Sequence, residues 1–304
     1  MQRRTVLGVI GGAPAMMMTC TQALADSSGP QLASYYDHHM ALIDGVAYGW
    51  TGRGQPLRMR TSVQQVGVSE DGFFALLNDG RLTRWGEAPG SSSQVLMPRV
   101  STFASGQSGW FAVDQAGVLW RGGGKLQAPQ RVADDVVSAC IGDSADYYIR
   151  RDGTLWVQGL AHRGQYGDGR LTATTDFVVT ATDAVAVKAH TGHALYLSQS
   201  GVVLGTGGNR YGPLGTHGLG DKADRWGRLF DAARAIATGS RHSLAIRTDH
   251  TLWAWGDGFA VTPHKLLDGV VAVAAGNTAT VALLTNGSLL QWDGGSGPRR
   301  LQVA

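Results

Sequence analysis

Residues 239–256 read GSRHSLAIRTDHTLWAWG. Two short apolar runs, Leu244-Ala245-Ile246 and Leu252-Trp253-Ala254-Trp255, flank a polar break from Arg247 to Thr251. Apolar runs on either side of a polar turn are the sequence form of a β-hairpin. Gly239 and Gly256 bracket it, where a strand ends or bends. A lone hairpin is marginal in water, so this one needs neighbours.

The chain writes that unit seven times. The turn positions are Gly45, Gly80, Gly117, Gly153, Gly201, His250 and Gly287, at successive spacings of 35, 37, 36, 48, 49 and 37 residues. Glycine stands eleven residues before the turn in four copies (Gly106, Gly142, Gly239, Gly276), and tryptophan five after it in four (Trp50, Trp85, Trp255, Trp292). A repeat of this length, built of short strands with Gly and Trp at fixed offsets, suits one blade of a β-propeller.

Two columns supply the packing. One holds Leu76, Val113, Ile149, Leu197, Ile246 and Leu283; the other holds Phe74, Phe111, Tyr147, Leu195, Leu244 and Val281. Met40 and Leu42 fill them in the first copy, which runs one residue short. Between them Ala75, Ala112, Ala245 and Ala282 leave room for a neighbouring backbone. The opening copy lacks the apolar strand that precedes the others, and the chain stops at PRRLQVA, where another would begin. Residues near Leu32-Ala33 are therefore expected to supply the missing strand. The expected fold is all-β: a seven-bladed β-propeller of four-stranded antiparallel blades, closed by pairing of N- and C-terminal segments so that no sheet edge is free.

The pattern G-x-x-H-S-L-A-L-x-x-D-G-x-L-W-x-W-G resembles the regulator of chromosome condensation repeat. Gly239, His242, Ser243, Leu244, Ala245, Trp255 and Gly256 match it, and Gly-rich tails appear as RGQYGDG at 163–169 and NRYGPLG at 209–215. The resemblance covers residues 35–300, nearly the whole chain. Departures are clear: the histidine of the motif survives as His193 and His242, with His38 a third candidate, whereas Gly72, Gly109, Ala145 and Ala279 replace it elsewhere. The resemblance implies a seven-bladed propeller, a scaffold that hosts several functions. Exported bacterial members include inhibitors of β-lactamases, and this chain looks like that type. The eukaryotic namesake is a nucleotide-exchange factor for a small GTPase that uses a wedge insertion and basic segments, neither of which is recognisable here.

Residues 1–25 stand apart. Arg3-Arg4 precedes a mildly apolar run through Met18, and Ala23-Leu24-Ala25 offers a small-residue cleavage site, so a twin-arginine-like export signal is expected. Residues 26–304 then form one propeller domain, periplasmic or secreted. Removing the signal takes two arginines and no acid, leaving 24 basic and 23 acidic residues. No basic stripe remains for a phosphate backbone, and nucleic acid is not an expected partner. The apolar run is too short for stable membrane insertion. Cys20 leaves with the signal and Cys140 stands alone in VVSACIG, so the mature chain has no disulfide.

Constellations for catalysis are absent from the sequence. GGGK at 122–125 lacks the Ser or Thr and the upstream glycine of a phosphate loop. His38 and His39 are adjacent on a strand and point to opposite faces, which disfavours a shared metal. Neither a G-x-S-x-G elbow nor a calcium loop occurs. The expectation is a non-enzyme without cofactor or metal that binds a protein as a monomer. Two surfaces are candidates. The tails of repeats four and five carry Arg163, Tyr166, Arg170, Arg210, Tyr211, His217 and Trp226, residue types that anchor interfaces. The loops after the leading strands carry Tyr35, Tyr36, Asp71, Trp110, Asp146, Arg241 and Asn277, with Trp110 in the slot that Ser243 fills. The alternative function is guanine-nucleotide exchange on a small GTPase.

Overall fold

All seven turns read from the sequence take a left-handed residue: Gly45 (φ 73°), Gly80 (82°), Gly117 (82°), Gly153 (83°), Gly201 (79°), Gly287 (78°) and, as the lone side-chain bearer, His250 (65°). Glycine recurs because an L-residue is crowded in that conformation. The computed structural model describes residues 29–303, apart from residues 71, 87–91, 108, 125, 217–219 and 294–296. The expected export signal at 1–25, Cys20, Asp71 and His217 lie outside the described residues.

The described residues form 28 strands and seven four-stranded antiparallel sheets, each built from strands consecutive in sequence. The blades span residues 31–61, 63–97, 100–133, 136–181, 184–230, 233–267 and 270–301. The all-β seven-bladed propeller expected from the repeats is the fold. Both apolar columns are buried, from Met40 and Leu42 in blade 1 to Val281 and Leu283 in blade 7, and so are the intervening alanines.

Neighbouring blades are joined by two devices. At six junctions the first N–H of the inner strand donates to the preceding blade's turn carbonyl: Val63 to Gly45 (3.1 Å), Val100 to Gly80 (2.8 Å), Val136 to Gly117 (2.9 Å), Ala184 to Gly153 (3.0 Å), Ala233 to Gly201 (2.9 Å) and Val270 to His250 (2.8 Å). The second device is the tryptophan column, in which each ring packs on the preceding blade. Trp85 joins Met40 and Leu42, Trp255 joins Leu195 and Leu197, and Trp292 joins Leu244 and Ile246.

Ring closure differs from expectation. Gln31–Tyr35 supplies the missing inner strand as foreseen, but it pairs with His38–Ile43 of its own blade. The last strand, Arg299–Leu301, pairs with Leu289–Asp293. No sheet among the described residues contains both chain ends, because the blade boundaries coincide with the repeat boundaries. Side chains close the ring, together with a backbone bond from Asn277 N to the Tyr36 carbonyl at 3.3 Å. Trp50 packs on Val281, Leu283 and Leu301 of blade 7, and its Nε1–H donates to Gln291 Oε1 at 3.0 Å. Arg299 reaches back to the Gly54 carbonyl at 3.2 Å.

The motif histidines tie blades together from inside. His193 Nε2 lies 3.0 Å from Ser243 Oγ of the next blade, and His242 Nε2 lies 3.0 Å from Thr280 Oγ1 of the blade after that. Burial, which disfavours the imidazolium, pushes His193 down to about 3 and His242 down to about 4. His39, buried beside Trp50, is held at about 4 for the same reason. As pH falls the unfolded chain therefore takes up these protons before the native ring does. Stability is full above about pH 6.5 and is lost progressively toward pH 4. Urea midpoints measured across that window should fall with pH, and His242→Gln should flatten the slope; an unchanged slope would show that His242 takes no part.

Candidate functional site

In an up-and-down blade the loops after the first and third strands leave on the same face. The two candidate surfaces from the sequence, the tails of repeats four and five and the loops after the leading strands, are therefore one face. Each long tail folds on itself in the same way. Gly164 and Gly212 take φ of 85° and 75°, and their N–H groups bond to Ala161 and Asn209 carbonyls at 2.7 and 2.8 Å. Asn209 staples its loop further, donating to the Thr216 and Gly220 carbonyls while its Oδ1 accepts from Leu214 N at 3.1 Å.

That shared loop fold corrects one expected contact residue. Tyr166 is fully buried, in the position that Leu214 fills one blade on. Its hydroxyl donates to the Gly159 carbonyl (2.9 Å) and accepts from Thr174 N (2.9 Å). Trp226 is likewise a packing residue. It lies on the outer strand Lys222–Phe230, edge-on to Tyr196 at 4.8 Å, with Nε1–H donating to Thr180 Oγ1 at 2.9 Å. Trp110 is buried as well, at 4% exposure between blades 2 and 3. Blade 3 has Gly122 where other copies have the column tryptophan, and Trp110 is the cross-strand partner of Gly122. A Cβ on Gly122 would lie 2.1 Å from the Trp110 ring. The tryptophan has moved across the strand pair, so the slot is filled rather than exposed.

Six expected residues do converge. Tyr36, Arg163, Arg210, Tyr211, Arg241 and Asn277 line one cleft of about 570 Å³, together with Lys222. Tyr36 and Tyr211 are 39% and 40% exposed, and Arg163 and Arg210 are exposed. Tyr36 holds a left-handed backbone (φ 49°), a strained state for a side-chain-bearing residue. Its phenol is pushed above its ordinary value by burial, then by the carboxylates of Asp143 and Glu70. The Arg241 guanidinium lies 4.2 Å from the Tyr211 ring centre, with Arg210 at 5.8 Å. Arg163 lies against Gly192, where a Cβ would come within 3.0 Å of Nη1. Arg170 stands outside this group, paired with Asp168.

Beside the cleft is a cluster of which the sequence pointed only to Tyr35. Tyr35 and His190 stand where four other copies carry glycine, and their rings stack at 5.3 Å across the mouth of the central channel. The Tyr35 hydroxyl donates to Asp143 Oδ1 at 2.9 Å. Thr191 N donates to His190 Nδ1 at 2.9 Å, and Thr191 Oγ1 donates to Asp143 Oδ2 at 3.1 Å. Departure from the glycine column was the available signal. Ser240 Oγ and Asp143 Oδ2 both approach the same nitrogen, His190 Nδ1, at 3.4 and 3.7 Å. A proton relay needs the base and its orienting group on opposite ring nitrogens, so this cluster is a plug and not a nucleophilic triad. Among the described residues no group of three or more His, Cys, Asp or Glu could hold a metal ion.

With this geometry the chain is a seven-bladed propeller carrying a regulator of chromosome condensation (RCC1) repeat: the model of that repeat matches residues 233–259, the first three strands of blade 6. Among curated proteins, the secretion-regulating guanine nucleotide exchange factor of Bos taurus is 29% identical over 154 residues, 46% of this chain. That match covers 33% of the bovine protein, so the chain spans about a third of the relative's length. Among solved structures, Prp20p from Saccharomyces cerevisiae superposes with a TM-score of 0.70 at 17% identity, covering 83% of this chain and 81% of that one. Its structure was described together with its binding properties to Gsp1p and histones. Human WBSCR16 gives 0.64 at 16% identity over 90% of this chain and 81% of its own. At such identities these likenesses speak for the fold alone. No helix among the described residues is long and apolar enough to cross a membrane.

Tyr166→Ala should destabilise the protein by about 3–5 kcal/mol, as removal of a buried ring does. Tyr211→Ala should change stability by no more than about 0.5 kcal/mol. Thermal unfolding of both variants checks which tyrosine is structural.

Proposed function

We propose that this chain is a non-catalytic, protein-binding propeller that docks its partner on the face carrying the cleft. The supporting observation is the convergence of Tyr36, Arg163, Arg210 and Tyr211, brought by blades 1, 4 and 5 to one exposed concavity. Tyrosine and arginine anchor interfaces because each offers a large contact area together with directed hydrogen bonds. The stacked rings of Tyr35 and His190 support the same reading, since they narrow the channel mouth beside the docking face. Export by residues 1–25 is part of this proposal and would place the encounter outside the cytoplasm. A single-copy chain suffices for it.

A second reading, nucleotide exchange on a small GTPase, is favoured by the similarity to the bovine exchange factor over 154 residues. It too is a form of protein binding, and it would use the same or another face.

The two are separated by experiment. A photo-crosslinking residue at Tyr211 should yield a specific protein adduct from the producing organism, whereas one at Val95, exposed on the outer strand of blade 2, should not. Equal adducts from both positions, or none from Tyr211, would remove the docking face. Release of a fluorescent guanine nucleotide from a panel of small GTPases should be unaffected by the protein; strong acceleration of any member would establish the exchange reading instead.

A further inference from the structure

The cleft also has a charge signature. Arg163, Arg210, Lys222 and Arg241 line it, and Asp221 is the acid among its lining residues. Only Arg241 of these cations has a carboxylate within reach, Asp257 at 3.5 Å; Arg163, Arg210 and Lys222 meet none among the described residues. Unpaired guanidinium groups on a protein of nearly balanced charge are an asymmetry that a partner can use.

Their presentation narrows the ligand. Tyr211 holds Arg241 at 4.2 Å and Arg210 at 5.8 Å by cation–π attraction. A guanidinium packed on a ring keeps its in-plane N–H fork free, and that fork matches a carboxylate. Arg163 rests on glycine backbone at Gly192 and Gly208 and is exposed on the cleft wall. The exposed rings of Tyr36 and Tyr211 add apolar area on the cleft wall.

The surroundings decide between a protein and a polyanion. Asp143 and Glu70 stand close enough to Tyr36 to raise its phenol, and Asp257 stands beside Arg241. A nucleic-acid backbone has phosphates along its whole length and would run from the cleft onto these acids. A folded protein can place carboxylates in the cleft and neutral or basic groups over the rim.

We propose that the cleft receives an acidic loop of the protein partner, with aspartate or glutamate carboxylates bound by Arg163 and Arg210 and the loop's apolar atoms covered by Tyr36 and Tyr211. This assignment rests on the docking reading above and adds the chemistry of what docks.

The test uses the full chain and labelled probes. Fluorescence anisotropy should show saturable binding of a short Asp/Glu-rich peptide, weakening as salt is raised, and no comparable binding of a Lys-rich peptide of equal length. The Arg163→Ala/Arg210→Ala double variant should bind the acidic peptide at least about tenfold more weakly, with unchanged thermal unfolding. Arg58→Ala/Arg60→Ala, on the outer strand Leu57–Thr61, should bind it as the parent does. Equal affinity for the two peptides, equal loss in the control variant, or stronger capture of a short single-stranded DNA would each overturn the proposal. Crosslinking from Tyr211 that persists without any preference for the acidic peptide would leave the docking face standing and reject the carboxylate chemistry alone.

Discussion

The ring depends on one hydrogen bond made repeatedly. At six junctions the N–H that opens an inner strand donates to the carbonyl of the preceding blade's left-handed turn, at 2.8 to 3.1 Å. A companion bond within each of blades 2 to 7 anchors the linker before its inner strand: Asn78 N to the Ser62 carbonyl, Gln115 N to Arg99, Arg151 N to Asp135, and likewise in the later blades. The turn glycine therefore does two things at once. It reverses the hairpin, and it aims a carbonyl at the next blade, fixing where that blade begins. Register within a blade and spacing between blades are thus set by the same residue. Each such bond contributes only about 1 kcal/mol, but six in series leave little freedom in how the sheets stack.

Much of this was legible in the residues. The turn column, the two apolar columns and the tryptophan column all appear in the sequence at fixed offsets, because a repeat must present the same face to each neighbour. What the sequence could not settle was exposure within a tail. Tyr166 and Tyr211 sit in two similar Gly-rich loops, yet one fills a buried slot and the other is open to solvent. The buried position becomes visible only when the loops are aligned on their left-handed glycines, Gly164 with Gly212, which sets Tyr166 opposite Leu214. Trp110 illustrates a different limit. Volume in a sheet is conserved across strand pairs rather than along a column, so the missing tryptophan at Gly122 and the extra one at Trp110 are one event.

The candidate site has the same lesson in reverse. Cleft residues run from Tyr36 to Asn277, and the repeat joins only some of them: Tyr36, Ser240 and Asn277 each follow the glycine-column position, whereas Arg163, Arg210 and Tyr211 come from the long tails. Only the rule that first and third loops share a face brings the two sequence surfaces together. The channel plug was within reach, because Tyr35 and His190 both break the glycine column. Glycine is required there in other blades by close approach; at Gly276 a Cβ would lie 2.3 Å from the Tyr36 carbonyl. Where the approach relaxes, a ring can enter, and two rings from opposite sides of the circle meet.

At the closing junction the first blade meets the seventh. Trp50 and Gln291 join them through side chains at 3.0 Å, and Asn277 N donates to the Tyr36 carbonyl at 3.3 Å. Trp50 and Gln291 stand 241 residues apart in sequence. Six junctions join blades that follow one another along the chain, whereas this one closes the longest loop and carries the largest entropic cost. The circle is therefore completed last by the contact that local structure helps least.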